Sequence, residues 1–480
     1  MATPGRVPPL HVDQLPIGGR WVMPASSRRV TVVNPATLDE VGSCPLADET
    51  DIDRAVTAAR QAFDSGPWPR FHPRDRAMVL SRLLDVYAAR QAEMADLITA
   101  ETGSPARFTA QTEHPLEILR FYIDLAGRFP WQEHRGSGTQ IFREPVGVVA
   151  AVVPWNMPQK TILMKLVPAL LAGCTVVVKP AEETPLDALL LADILDSAGL
   201  PPGVVSVVPA LPETAEYLVA HPAVDKVAFT GSTEVGARIG ELCGQRVRRV
   251  SLELGGKSPA IVCPDADPAR VVDALRTDTF ALSGQICSAH TRVLVPHSQL
   301  DHYTARIAEM AEGLRVGDPM NIYTDLGPVI SRRQQLRVEG YIQDGITSGA
   351  RLVTGGLPAD GEERQPGWWV KPTVFIADND HVIAREEVFG PVVTLIGYGD
   401  DTDAVRIAND SPYGLEAAVW TEDLAHADTL ARRLRAGTVR INGAFDVNAP
   451  LGGFKASGIG RELGVEGLAG YTEVKAVVSR

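Results

Sequence analysis

Five short stretches hold residues from which chemistry can be built. Ser283-Gly284-Gln285-Ile286-Cys287 places a cysteine after a glycine-containing turn and just ahead of an apolar, β-branched run. A sulfur in that setting can sit in a cleft with backbone N–H groups aimed at it, which lowers the thiol pKa and makes a nucleophile. The plainer alternative is an inert buried thiol. Leu252-Glu253-Leu254-Gly255-Gly256-Lys257 sets a carboxylate between two leucines. Partial desolvation there raises its pKa toward a general base's working range, unless a neighbouring Arg or Lys pairs with it. Pro154-Trp155-Asn156-Met157-Pro158 follows another apolar run. An Asn at such a strand-to-helix turn either donates its side-chain N–H to a developing oxyanion or caps the helix.

The other two stretches suit a nucleotide. Lys179 and Glu182, in Val178-Lys179-Pro180-Ala181-Glu182, end an apolar run. From a strand's carboxyl end both can reach the sugar of an adenine nucleotide, Glu182 accepting from ribose hydroxyls; otherwise they form a solvated pair. Phe229-Thr230-Gly231-Ser232-Thr233-Glu234-Val235-Gly236 ends a later run and opens a helix. Its glycine and hydroxyl can let a phosphate approach backbone N–H groups, although it is not the G-x-G-x-x-G fingerprint.

The elements that must position these residues alternate regularly from about residue 146. Apolar runs at 146–153, 175–178, 204–208, 226–229 and 247–254 are separated by helical stretches at 157–171, 186–198, 214–220 and 233–242. Short β-branched runs between helices imply βαβ units and a parallel sheet buried on both faces, wound right-handed. Ligands of such sheets bind beyond the strands' carboxyl ends, where four of the five stretches fall. A second alternation follows Gly255-Gly256, with strands at 261–262, 292–295, 392–396 and 439–441 and helices at 300–314 and 334–348. Upstream, 51–63 and 76–100 have helical periodicity. The expected architecture is α/β: a doubly wound cofactor domain from 1–125 and 146–257, and a second α/β catalytic domain from 258–455. Residues 126–145 and 456–480 remain as bridging segments, a hairpin and a final strand at 471–478. Both would be bare edges in a monomer, and pairing with another subunit is the simplest remedy.

Composition narrows the classes. The 480 residues are 45% hydrophobic and 22% charged, room for about three domains of ~150 residues and more than one core. Forty-three glycines and 36 prolines fall without a period, so collagen and low-complexity sequence are excluded. A net charge of −13 disfavours a nucleic-acid or anionic-membrane surface. The longest apolar runs, such as 166–178, stop short of the ~20 residues of a membrane span. Residues 1–10 lack the apolar core of a secretory signal, so a cytoplasmic protein is expected. Cys44, Cys174, Cys243, Cys263 and Cys287 include no C-x-x-C pair, so no metal site is expected.

Together the motifs resemble one family over residues 15–480: the NAD(P)-dependent, acid-forming aldehyde dehydrogenases. The resemblance rests on Pro154-Trp155-Asn156, Glu253-Leu254-Gly255-Gly256-Lys257-Ser258-Pro259 and Gly284-Gln285-Ile286-Cys287. It is reinforced by Glu386-Glu387-Val388-Phe389-Gly390-Pro391-Val392 and by the glycine-rich run from Leu451 to Glu462. It implies that Cys287 attacks the aldehyde and carries a thiohemiacetal and then a thioester. Asn156 and the Cys287 N–H would hold the oxyanion, and Glu253 would activate water. The cofactor residues would be Trp155, Lys179, Glu182, Gly231, Ser232, Gly236, Glu387 and Phe389. Lys179 and Glu182 would take the adenine ribose, Ser232 the pyrophosphate and Glu387 the nicotinamide ribose. Glu253 argues against a coenzyme A acceptor, and Glu182 favours NAD over NADP because a carboxylate repels a 2′-phosphate. The resemblance also implies a homodimer or homotetramer.

The chain departs from the family's pattern at Leu282, where an Asn is frequent, and at Ala281, where an aromatic is frequent. The loop 442–450 is short. Met157, Met164, Ala281, Ile286 and Ser288 would border the substrate tunnel, and their small or flexible side chains favour a bulky or apolar aldehyde. These motifs contain no basic anchor for a carboxylated one.

Overall fold

The structure, a computed structural model, describes residues 9–136, 138–359 and 365–479. The leading residues 1–8, residue 137 of the expected hairpin, 360–364 and 480 lie outside the described residues.

Six strands form the first large sheet, in the order Val205–Val207, Thr175–Lys179, Val148–Val152, Lys226–Thr230, Arg249–Glu253 and Gly458–Ile459. The first five are parallel, and the last runs antiparallel beside Arg249–Glu253. Alternate residues feed opposite cores. Val149, Ala151, Val176 and Val178 pack into one, while Val148, Ala150, Val152 and Val177 pack into the other. This is the two-residue period of a strand covered on both faces. Helices Pro158–Ala172 and Leu186–Ala198 start after prolines or at one and end at the left-handed glycines Gly173 and Gly199. Only glycine enters that conformation without a Cβ clash. Strand order reverses between Val148–Val152 and Lys226–Thr230, and at such a switch the two following loops diverge and open a crevice. Those loops carry Trp155-Asn156 and Gly231-Ser232.

The second large sheet has seven strands: Arg351–Thr354, Thr373–Ile376, Val392–Tyr398, His290–Pro296, Ser258–Val262, Glu416–Trp420 and Thr438–Ile441. All but the first are parallel to their neighbours. The sequence reading missed Arg351–Thr354, Thr373–Ile376 and Glu416–Trp420. The first two flank a glycine- and proline-rich stretch, and the third opens on a glutamate. The α/β class with parallel sheets is the observed one, and close matches to solved structures, given below, agree with it.

Two expectations need correction. Residues 76–100 are not one helix: Pro73–Ala89 and Gln91–Thr102 meet at Arg90, whose φ of −109° and ψ of 13° break the helical path. Arg90 there pairs with Glu93 and Asp193, and so holds the break. The hairpin and the final strand are not two separate bare strands either. Gln132–Arg135 and Thr139–Pro145 pair with each other, and Thr472–Val478 adds antiparallel to Thr139–Pro145 over seven residues. One chain therefore builds a three-stranded sheet with Thr139–Pro145 in the middle, leaving the outer edges of Thr472–Val478 and Gln132–Arg135 open.

One ion pair ties the C-terminal segment to the first sheet. Lys165, in the helix Pro158–Ala172, and Glu462 are both fully buried and paired. Lys165 Nζ also donates to Thr230 Oγ1 at 2.6 Å. Removing one partner of a buried pair strands the other charge, at a cost of about 3–5 kcal/mol. Lys165→Met is therefore expected to lower the urea midpoint substantially, and Lys165→Met with Glu462→Leu to recover much of the loss. A wild-type midpoint for the single variant would show that the pair does not hold the fold.

Candidate active site

Three loops meet so closely that their glycines cannot be replaced. A Cβ on Gly256 would lie 2.3 Å from the Cys287 carbonyl oxygen. One on Gly255 would lie 2.4 Å from the Glu387 carboxylate, and one on Gly284 would lie 2.0 Å from the Gly390 carbonyl oxygen. Real carbon contacts of that length do not occur, so the stretches 253–257, 283–287 and 387–390 are bound into one body by backbone approach at Gly256 and Gly284, with the Glu387 side chain closing over Gly255. A fourth stretch joins it: Asn156 Nδ2 donates to the Gln285 carbonyl at 2.8 Å.

The turn before Cys287 is strained. Leu282, Ser283 and Gly284 all have positive φ, at 52°, 56° and 69°, and each non-glycine residue held there costs of order 1 kcal/mol or more. Its surroundings enforce it. Ser283 Oγ donates to the Gly327 carbonyl at 2.6 Å, Gln285 Nε2 donates to the Leu282 carbonyl at 2.7 Å, and Gln285 Oε1 accepts from the Ile330 N–H at 3.0 Å. Leu282, where the family pattern has an amide, is simply buried. Cys287 is half-buried, and its N–H has no backbone acceptor among the described residues. One N–H of the Asn156 amide is spent on Gln285, which leaves the other free.

Charge at this body is governed by burial. Burial pushes the Cys287 thiol up to about 12; Glu387 adds to the rise, Lys160 opposes it, and Glu253 and Glu416 add to it again. The expectation of a lowered thiol pKa is thus reversed in the protein alone, because desolvation and three carboxylates outweigh one cation. Glu253 ends the strand Arg249–Glu253, is buried, and has both carboxylate oxygens without a hydrogen-bond partner among the described residues. Burial, reinforced by Glu462, holds its carboxyl well above the ordinary range, against Lys165 and Arg461. The paired-carboxylate alternative therefore does not describe Glu253. Burial also pushes Glu387 up to about 7, against the Gly256 N–H, Arg337 and Lys257.

The remaining expected residues line the crevice at the strand ends. Glu387 Oε1 accepts from the Gly256 N–H at 3.0 Å, and the Phe389 and Trp155 rings meet edge to face at 5.5 Å. Gln334 and Arg337 hold this loop by donating to the carbonyls of Phe389 and Glu387. Lys179, buried at the last position of its strand, lies 3.5 Å from Glu182. Ser232 caps the helix Thr233–Gln245, accepting from the Val235 N–H. Gly231 and Gly236 serve packing: the Gly231 N–H donates to the Glu253 carbonyl at 3.0 Å. A Cβ on Gly236 would lie 2.3 Å from the Leu254 side chain. Among the described residues no group of three or more His, Cys, Asp or Glu is placed to hold a metal ion.

The sequence reading passed over two lysines. Lys160 and Lys165 lie in a helix, Pro158–Ala172, that is otherwise almost wholly apolar and buried. A charge inside such a run is itself a signal, since an unpaired buried charge is unstable. Lys165 serves the fold, as described above. Lys160, in the first turn of this helix, has its ammonium 5.6 Å from the centre of the Phe445 ring.

A half-buried thiol, an amide tied to the turn before it and a carboxylate without a partner among the described residues are thus gathered at the edge of a doubly wound sheet on an α/β scaffold. The aldehyde dehydrogenase family model matches residues 21–477. Geranial dehydrogenase of Castellaniella defragrans is 44% identical, over 96% of this chain and 97% of that protein. Phenylacetaldehyde dehydrogenase of Pseudomonas fluorescens is 40% identical, over 97% of this chain and 95% of that protein. Among solved structures, the Mycobacterium tuberculosis aldehyde dehydrogenase complexed with NAD+ has a TM-score of 0.96 at 42% identity, covering 98% of this chain and 99% of that one. Aldehyde dehydrogenase C of Pseudomonas syringae with NAD+ and octanal has a TM-score of 0.95 at 42% identity, covering 98% of each chain. The chain belongs to the aldehyde dehydrogenase family.

The raised thiol gives a direct test. Iodoacetamide labelling of Cys287 in cofactor-free protein should accelerate with pH and still be climbing at about pH 10, since only thiolate reacts. A rate that levels off near or below the ordinary thiol value of 9.0 would contradict the assigned environment.

Proposed function

We propose that the protein oxidises an aldehyde to its carboxylic acid, with NAD as the preferred acceptor and water as the second substrate. The observation that carries this reading is Glu253: a buried carboxylate with two unpartnered oxygens, placed within the field of the Cys287 sulfur.

The donor set suits a dinucleotide. Lys179 and Glu182 stand at a strand's carboxyl end for the adenine ribose. The exposed first turn after Ser232 offers N–H groups to a pyrophosphate. Glu387 keeps one oxygen on Gly256 and has the other for a nicotinamide ribose hydroxyl, with Trp155 and Phe389 beside it. When bound, NAD supplies the hydride acceptor and a positive ring. The residues of the chain do the rest. Cys287 first gives up its thiol proton, to ionised Glu253 or to solvent; the thiolate Sγ then bonds to the aldehyde carbon, and the carbonyl oxygen takes up the negative charge. The free N–H of Asn156 and the Cys287 N–H are donors for that oxyanion. Once hydride has left, the acyl group remains on sulfur as a thioester. Glu253 then takes a proton from water, the water oxygen bonds to the acyl carbon, and the carboxylic acid leaves as sulfur is freed.

Apolar relatives support a bulky or apolar aldehyde body. The names of the relatives above include geranial and phenylacetaldehyde, and Met157, Met164 and Ala281 are buried near the nucleophile's loop or the helix after Asn156. We also read residues 258–455 as the catalytic domain, 1–125 with 146–257 as the cofactor domain, and 126–145 with 456–480 as the bridging segments. A homodimer or homotetramer would cover the open edge of Thr472–Val478, where Val474 and Val478 are 60% and 75% exposed. No described helix is long and apolar enough to cross a membrane, which accords with a cytoplasmic aldehyde enzyme.

Glu253→Gln should leave a stoichiometric burst of reduced cofactor and then a steady state slower by about 10²–10⁴-fold. An undiminished steady state would remove Glu253 from the hydrolytic step. A carboxyl raised in pKa is protonated, and useless as a base, below that pKa. The acid limb of the wild-type kcat profile should therefore lie well to the alkaline side of an ordinary glutamate, and kcat should climb through neutrality. Separately, kcat/KM should favour NAD over NADP, and Glu182→Ser should narrow the ratio. A wild-type preference for NADP would refute the placement of Glu182 at the 2′-hydroxyl.

A further inference from the structure

Around the Phe445 ring the structure gathers three nitrogen-bearing side chains. Lys160 Nζ lies 5.6 Å from the ring centre, the Arg440 guanidinium carbon lies 5.4 Å away, and the His114 imidazole stacks on the ring at 5.0 Å and 18°. Lys160 lies in the first turn of the helix that follows Asn156, so the cluster borders the reacting centre. Lys160 is also the cation whose field acts on the Cys287 sulfur.

The charges of this cluster do not balance locally. Arg440 is spent: it pairs with Glu416 at 2.9 Å and with Asp278 at 3.3 Å. Those same carboxylates hold His290, Glu416 at 2.9 Å and Asp278 at 3.6 Å. Two carboxylates thus face Arg440 and His290, leaving no anion over. Among the described residues no carboxylate lies within ion-pairing distance of Lys160 Nζ; Glu416 and Glu117 act on it only from farther off. His114 Nδ1 is buried with no hydrogen-bond partner among the described residues. Burial, with Lys160 and then Arg440 adding to it, pushes that imidazole down to about 3, so it stands neutral. Lys160 itself is partly exposed, so water tempers the cost of leaving it without a protein counter-ion; an ammonium held at an aromatic ring on the helix that follows Asn156, with no carboxylate of its own, is a ready partner for a charge that the ligand brings.

We propose that Lys160 is the anchor for a carboxylate carried by the aldehyde substrate, on an apolar or aromatic body that packs against Phe445. This rests on the aldehyde-oxidising reading above and deepens it: the middle of the substrate is apolar, and its far end is anionic. The ammonium pairs with the carboxylate, and the Phe445 ring flanks the body. Lys160 is then a specificity-determining residue, acting on substrate capture more than on the bond-making steps.

The test compares matched aldehydes: 4-carboxybenzaldehyde with 4-methylbenzaldehyde, and succinic semialdehyde with butanal. The wild-type protein, Lys160→Met and Lys160→Arg are each assayed with NAD for kcat and KM. In at least one pair the wild-type protein should favour the carboxylated member in kcat/KM. Lys160→Met should cut that selectivity ratio about tenfold or more, chiefly through KM, and Lys160→Arg should retain most of it. Because the ratio is taken within one protein, a general loss of folded enzyme cancels. A Lys160→Met protein whose rates fall equally for both members would make Lys160 a partner of the thiolate instead, and would overturn the anchor. So would a wild-type protein that prefers the neutral member of each pair, while leaving the aldehyde-oxidising reading standing. No turnover with any aldehyde, carboxylated or not, would sink that reading and the anchor with it.

Discussion

The site depends on backbone lying against backbone. Gly256 beneath the Cys287 carbonyl and Gly284 beneath the Gly390 carbonyl leave no room for a single added carbon. Side-chain hydrogen bonds tolerate tenths of an ångström of drift, but these contacts do not. They fix where the sulfur stands relative to Glu253, which ends a strand of the first sheet, and to Glu387, which precedes a strand of the second. The left-handed Leu282 and Ser283 are part of the same constraint: the turn accepts their strain because the contacts on either side allow no other path.

Given that closeness, burial sets the electrostatics. Cys287, Glu253 and Glu387 all have their proton affinity raised by desolvation first; Glu387 and Glu253 add to the rise at Cys287, Glu462 adds to it at Glu253, and at Glu387 the neighbouring groups oppose it. In the protein alone burial therefore favours the protonated forms of Cys287 and Glu253. Hydrogen bonds run to the scaffold around them, as with Gln285, Asn156 and Ser283, while the reactive oxygens of Glu253 are left bare. Rigidity in the supporting groups and unsatisfied capacity in the reacting ones is how a preorganised site differs from an ordinary buried polar cluster.

Most of the first sheet was legible in the sequence, since its parallel strands are short, mostly apolar runs and the helices Pro158–Ala172 and Leu186–Ala198 end at glycines that terminate them. The strand Glu416–Trp420 was not, because it begins with a buried Glu whose partners, His290 and Arg440, are distant in sequence. The three-stranded sheet was half legible: its strands could be found, but which edge met which could not, as pairing between 139–145 and 472–478 is a fact of tertiary structure. At the site, Cys287, Glu253 and Asn156 could be picked out by residue type and setting. The direction of the Cys287 shift could not, because local sequence shows the turn's N–H groups but not Glu387 and Glu416 arriving from elsewhere. Lys160 and Lys165 were visible as charges in an apolar helix, yet only their partners, Phe445 and Glu462, distinguish an open cation from a satisfied one.

The pairing of Lys165 with Glu462 spans 297 residues of chain, and the strand Gly458–Ile459 that borders Glu253 is among the last to be made. A ribosome delivers the first sheet's parallel strands long before the segment that closes it. Until the C-terminus emerges, the nascent chain holds a lysine in an apolar helix with no counter-ion and a catalytic strand with an uncovered edge. Folding of the amino-terminal half is thus withheld from completion by the order of translation, and a truncated polypeptide cannot present a finished catalytic centre.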